Sequence, residues 1–359
     1  MGKSDFPMED KKGIPMQMAY ANIGGLYQVD FHLRQEKIQT EFFKDKCGGY
    51  FNSAAYPFVL TENYRKENLY SEFADEAIQY FKDNKIVWWR GKDGLPTNHT
   101  LSSQVSCINH MLWLQNNEQA ATVVLKQLDQ DFIAEPFPKS KLYIEFELNG
   151  CDEDHRFHCL CEKGSARGAN TTSIDAAMLA RKSNKKVLVL IEWKYVESYY
   201  GTIQGIQANP QYTVQKFTYK PWLLTIDCPI LILKTEELAG QNLISDEDFD
   251  RLYEKFSVEP IYQLMRQTLL AWKLTAEHRY GADDYLHVHV IPFANSKLLT
   301  SKTSPEIIDG HKDICSAWKN CLKRPEKYIH IDPSNLLDQA SMEFNPNLHD
   351  YLHRRYWQI

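Results

Sequence analysis

Three residues in the stretch from Asn170 to Gly201 could do chemistry together: Asp175, Glu192 and Lys194. Glu192 and Lys194 close the run KVLVLIEWKY (186–195) and stand two apart, so on a strand they share a face. Asp175 on a neighbouring strand would face them and complete a small cup. A carboxylate and an ammonium at the end of a buried strand are costly to desolvate unless paired or bound to a metal. Two carboxylates aimed at one point make a hard oxygen site suited to Mg²⁺, with Mn²⁺ able to stand in. The carbonyl of Trp193 is a candidate third oxygen. A cation held there polarises a phosphoryl oxygen, and Lys194 orients the attacking water or stabilises charge on phosphorus. The competing reading is a half-buried structural ion pair between Lys194 and one acid.

The elements that must position these groups follow from periodicity. Val187 to Ile191 is a continuous apolar run of strand length and β-branched composition, expected to be buried on both faces. Asp175 falls on a preceding strand, about 171–178. Residues 141–148, KLYIEFEL, alternate, with Leu142, Ile144, Phe146 and Leu148 on one face and Tyr143, Glu145 and Glu147 on the other. Glu147 is the third acid that could turn toward the cup, with Glu145 and Glu162 as alternatives. A helix over 101–115 buries Leu101, Val105, Ile108 and Leu112 and carries Ser103, Gln104 and Asn109 on its other side. Pro260 opens a helix that Gly281 stops, from which Gln263, Arg266 and Gln267 project. A strand follows at 285–292. Earlier in the chain, a helix is expected over 68–83 and a short strand over 85–90. The core order is therefore α-β-β-β-α-β.

The pattern Asp175, then Glu192-x-Lys194 at a strand end, resembles the PD-(D/E)XK nuclease superfamily. Arg167-Gly168-Ala169-Asn170, Ser173-Ile174-Asp175 and Ile191-Glu192-Trp193-Lys194-Tyr195 resemble a bacterial family of predicted restriction-type endonucleases within it. The resemblance implies an α/β restriction-endonuclease-like core, a central mixed sheet flanked by helices, with N-terminal, insertion and C-terminal elaborations. It implies a Mg²⁺-dependent endonuclease acting on the phosphate backbone of DNA, with Asp175, Glu192, Lys194 and Glu147 catalytic and Asp175, Glu192 and Trp193 holding the metal. Many superfamily members place an acid on the first core helix, but none lies between Leu101 and Gln115 here. The helix after the insertion carries the family's Gln263-Leu264-x-Arg266-Gln267 pattern. By analogy with restriction-type enzymes, a homodimer would cut both strands. A nuclease fold that only binds nucleic acid, or a phosphohydrolase acting on a small phosphorylated ligand, are the alternatives.

The net charge of −6 does not advertise nucleic-acid binding, so distribution has to carry that argument. From Arg156 to Lys186 there are seven basic residues against two acids, a local excess around the proposed site. Candidate DNA contacts are Arg167, Asn170, Arg181, Lys182, Gln104, Arg266 and Gln267; a guanidinium such as that of Arg266 can grip phosphate with two parallel hydrogen bonds. The eight cysteines are scattered without zinc spacing and suit reduced thiols in a cytoplasm. No apolar run is long enough to span a membrane. The expected layout is a tail over 1–20, one nuclease-like domain over 21–295 with an insertion at about 196–257, and a C-terminal extension over 296–359 packed on the core.

Overall fold

A computed structural model of the chain describes residues 30–151, 157–162, 167, 171–197, 218–231, 245–256, 259–300, 311 and 313–358. In chain order the elements are α1 (Phe31–Phe43), β1 (Tyr50–Phe51), β2 (Ala54–Ala55), α2 (Ala74–Asp83), α3 (Ser103–Met111), α4 (Glu118–Lys126), β3 (Ile133–Glu135), β4 (Ile144–Asn149), β5 (Ser173–Lys182) and β6 (Lys185–Trp193). They continue with α5 (Asp246–Phe256), α6 (Ile261–Ala276), β7 (Asp284–Val290), α7 (Ser296–Leu299), α8 (Ile314–Asn320), β8 (Tyr328–Ile331), α9 (Pro333–Phe344) and α10 (Pro346–Leu352). The expected core order is present as α3, β4, β5, β6, α6 and β7, with α4, β3 and α5 inserted between its members.

Six strands make one mixed sheet in the order β3-β5-β6-β7-β8, with β4 sharing the outer edge of β5. β5 and β6 pair antiparallel, whereas β6, β7 and β8 run parallel. The apolar run of β6 explains why this strand is central. Val187, Val189 and Ile191 enter one core with α3, α4, α9 and α10, and Leu188 and Leu190 enter the other with α5, α6 and α8. Burying a side chain of this size stabilises the fold by roughly 1.5–3 kcal/mol, so the run holds both layers against the sheet.

Four expectations need correction. The helix expected over 68–83 begins only at Ala74, and a 3₁₀ helix over Glu62–Asn68 precedes it. Residues 85–90 form no strand: Ile86 and Trp88 are buried while Val87 and Trp89 are exposed, and Trp88 stacks on Phe81 of α2 at 3.7 Å. The apolar run packs on the surface of α2 instead of pairing with a neighbouring strand. The first core helix is shorter than expected, capped by Ser102, whose hydroxyl accepts from the Val105 N–H, and ending in a 3₁₀ turn over Leu112–Leu114. The alternation over 141–148 holds through Phe146 and then breaks. Glu147 adopts a left-handed backbone, φ 50°, so Leu148 joins the α6-side core while Ile144 and Phe146 lie in the other. Among the described residues no helix is long and apolar enough to cross a membrane.

Candidate active site

The C-terminal end of β6 projects Glu192 toward α6, on the side of Leu188 and Leu190. Glu192 Oε1 accepts from Lys194 Nζ at 2.7 Å and from Gln263 Nε2 at 2.7 Å, and its Oε2 accepts from Gln267 Nε2. Lys194 Nζ also donates to Gln263 Oε1 at 2.8 Å. Gln263 and Gln267 are four apart and so lie one above the other on α6. Glu192 and Lys194 are only 3% and 6% exposed, and this set of hydrogen bonds is what offsets their desolvation.

Asp175 is held by the neighbouring ladder. The β5–β6 pairing reaches Ala176 opposite Ile191; beyond it, the Trp193 N–H donates to Asp175 Oδ2 at 2.7 Å. Glu147 comes in from β4. Its carboxylate accepts from Gln104 Nε2 at 2.7 Å and from Ser173 Oγ at 3.2 Å. Gln104 is itself fixed by the Trp89 N–H, 2.8 Å from its Oε1. A left-handed backbone at a non-glycine residue costs roughly 1–2 kcal/mol and tends to persist at functional sites. Here Arg167 holds it: Nε donates to the Glu147 carbonyl at 2.9 Å and Nη2 to the Phe146 carbonyl.

Glu147, Asp175, Glu192 and Lys194 all line one open cleft of about 530 Å³, with Gln104, Trp89 and Gln263 at its walls. Burial, then the charges of Glu192 and Glu147, push the Asp175 carboxyl well above its usual range. Burial first, with Glu192 adding, pushes Glu147 up to about 7 against the opposing bonds from Gln104 and Ser173. Behind the cluster, burial and the same three carboxylates raise the Cys107 thiol. Glu147, Asp175 and Glu192 face one ammonium, with Glu197 a fourth carboxylate in the lining; a divalent cation relieves this excess of negative charge, and oxygen donors are what Mg²⁺ takes. That donor set fits the ion. Each carboxylate is turned to its own donors, however, and the three are not gathered as tightly as the group with ligand atoms all within 4.8 Å of one another, which among the described residues lies elsewhere.

The other candidates separate clearly. Gln104 is in the cleft. Gln267 is buried and serves Glu192 rather than facing outward. Arg167 is spent on backbone carbonyls. Arg266 donates to Thr172 Oγ1 at 2.9 Å and sits 3.8 Å from Glu162, outside the cleft lining. Arg181 and Lys182 lie at the far turn of the hairpin, roughly 20 Å along the strand from Asp175, paired with Glu135 and with Asp129. Strand length separates them from the site. Asn170 lies outside the described residues. Of the alternative third acids, Glu145 accepts from Ser140, and Glu162 accepts from Thr171, Thr172 and Tyr219 in a cluster of its own.

Two contributors were not assigned from sequence. Ser173 supports Glu147, and Trp89, 47% exposed, stands at the cleft wall. An exposed tryptophan carries no periodic signal; Ser173 adjoins the Ser-Ile-Asp motif and could have been found there. No curated protein and no solved structure matches the chain. Residues 33–357 match the family described as restriction endonuclease associating with ARP, so the chain belongs to that family, and its mixed sheet flanked by helices is a restriction-endonuclease-like fold.

Proposed function

We propose that this restriction-type endonuclease hydrolyses DNA phosphodiester bonds with Mg²⁺, or Mn²⁺ in its place, at the cleft formed by Glu147, Asp175, Glu192 and Lys194. The observation that carries the reading is that carboxylates from three adjacent strands and one lysine line a single open cleft. Asp175, Glu192 and the Trp193 carbonyl would hold the ion, with Glu147 as the third acid; when bound, the ion supplies Lewis-acid stabilisation of charge on the phosphoryl group. The protein's own contributions are positional. Gln263 and Gln267 orient Glu192, the Trp193 N–H orients Asp175, and Gln104 with Ser173 orients Glu147. Lys194 positions the attacking water in line with the leaving oxygen and stabilises the charge that develops on the non-bridging phosphate oxygens. Trp89 offers a flat apolar face for a base or sugar at the wall.

Incubating supercoiled plasmid with the protein in Mg²⁺, Mn²⁺ or EDTA tests this. We expect nicked or linear product with either metal and none in EDTA. Equal cleavage in EDTA, or no cleavage with either metal across a range of DNA substrates, would overturn it.

A further inference from the structure

A second constellation of ligand types lies far along the chain from the cleft residues. Helix α10 passes directly into a π-helical turn, His353–Trp357. His349 and His353 are four apart and their rings lie on one side, centroids 4.7 Å apart. Asp338 reaches toward both from α9. Its Oδ1 is 3.0 Å from His349 Nε2 and 3.5 Å from His353 Nε2. The three ligand atoms all lie within 4.8 Å of one another, the one such group among the described residues.

We propose that Asp338, His349 and His353 form a binding site for a transition-metal dication, zinc being the best fit. Bonds of about 2.1 Å to a common ion place neighbouring ligand atoms roughly 3.0–3.4 Å apart, and the two observed edges bracket that range. One carboxylate oxygen facing two imidazole nitrogens is a monodentate arrangement with room for water at the remaining positions. Two imidazoles and a carboxylate select zinc, cobalt or nickel over Mg²⁺, which prefers an all-oxygen shell. Asp338 and His353 have side chains 50% and 51% exposed, so an ion can enter without opening the fold. His349, at 22%, is the anchored member.

The site has a consequence for the layer behind the active strand. Trp357 packs edge-on against both rings, at 6.0 Å and 5.2 Å, and its Nε1 donates to His110 Nε2 at 3.0 Å. His110 in turn lies 4.7 Å from the ring of Trp193. An ion that ties α9 to α10 therefore fixes the terminal turn that backs β6.

Full-length protein stripped with EDTA can be titrated with ZnCl₂ by calorimetry and with Co²⁺ by visible absorption, alongside His353→Ala and Asp338→Asn. An Asp175→Asn control separates this site from the cleft carboxylates. We expect one zinc site of micromolar affinity or better in the wild type and in Asp175→Asn, weakened at least tenfold in the other two variants. Zinc should raise Tm of the wild type and leave that of His353→Ala unmoved. Because His353 and Asp338 are half-exposed, both variants should keep the metal-free Tm; should one fail to fold, the other decides. No zinc binding in the wild type, or equal binding in the wild type and both variants, would show that the three residues share hydrogen bonds only.

Discussion

Glu192 shows at the scale of single residues what the proposed active site asks of its neighbours. Its two oxygens accept from three side chains, Lys194, Gln263 and Gln267, so its orientation is set by α6 as much as by its own strand. Groups that orient a metal ligand typically contribute about 10- to 100-fold in metal affinity or activity. Gln263 is only part-buried. We therefore expect Gln263→Ala to lower cleavage, or raise the Mg²⁺ concentration needed for it, by about that factor, with Tm changed little. Metal titrations of plasmid cleavage measure this; a variant indistinguishable from the wild type would show that Gln263 does not position Glu192. The placement of Glu192 and Lys194 on one face was readable from the period of a strand. That of Glu147 in the cleft was readable only as one of three alternatives, because nothing in its residue type signals a left-handed backbone.

β4 is the element where packing overrode pattern. A strict two-residue period would keep Leu148 with Phe146, but the break at Glu147 sends Leu148 to the opposite core and frees the Glu147 carboxylate to enter the cleft. Arg167 stabilises that break through two carbonyls. Replacing it with alanine leaves both acceptors short of a donor, which costs about 1–3 kcal/mol. We expect Arg167→Ala to lose stability in that range in denaturant melts and to lose cleavage more steeply than stability alone explains. Unchanged activity would mean that the break does not depend on the guanidinium. The same element scale explains the misplaced basic residues. Arg181 and Lys182 belong to a locally positive stretch, yet a ten-residue strand carries them to the far turn, where acids already pair them. Charge along a chain says nothing about which end of a strand faces the site.

The whole molecule should be acid-sensitive. Burial holds His99 down at about 4 and both His110 and His287 at about 3, and holds His289 well below its usual range. Each is neutral when folded and takes a proton in the unfolded chain below about pH 6.5, so their contribution is present above that pH and is lost as pH falls toward the folded values. Glu147 and Asp175, raised in the fold, act in the opposite sense. His158 and His330 are lowered as well and Glu259 is raised, so six histidines stand against three carboxylates, and the metal-free protein loses stability as pH falls from roughly 6 to 4.5. Denaturant melts across that window measure the slope; a flat profile would mean that these histidines protonate without unfolding. At this scale the order of the core, α3, β4, β5, β6, α6 and β7, was legible from its apolar periods, while α1, α9 and α10 were not, and β3 and β8 are too short to carry a period of their own. The claim that the cleft is a nuclease centre is tested most directly by single-turnover cleavage of plasmid DNA in Mg²⁺ by the wild type and by Lys194→Ala, both confirmed folded by circular dichroism. We expect cleavage by the wild type and a loss of about 10²-fold or more in the variant; equal rates in the two proteins would rule out a nuclease centre at Lys194.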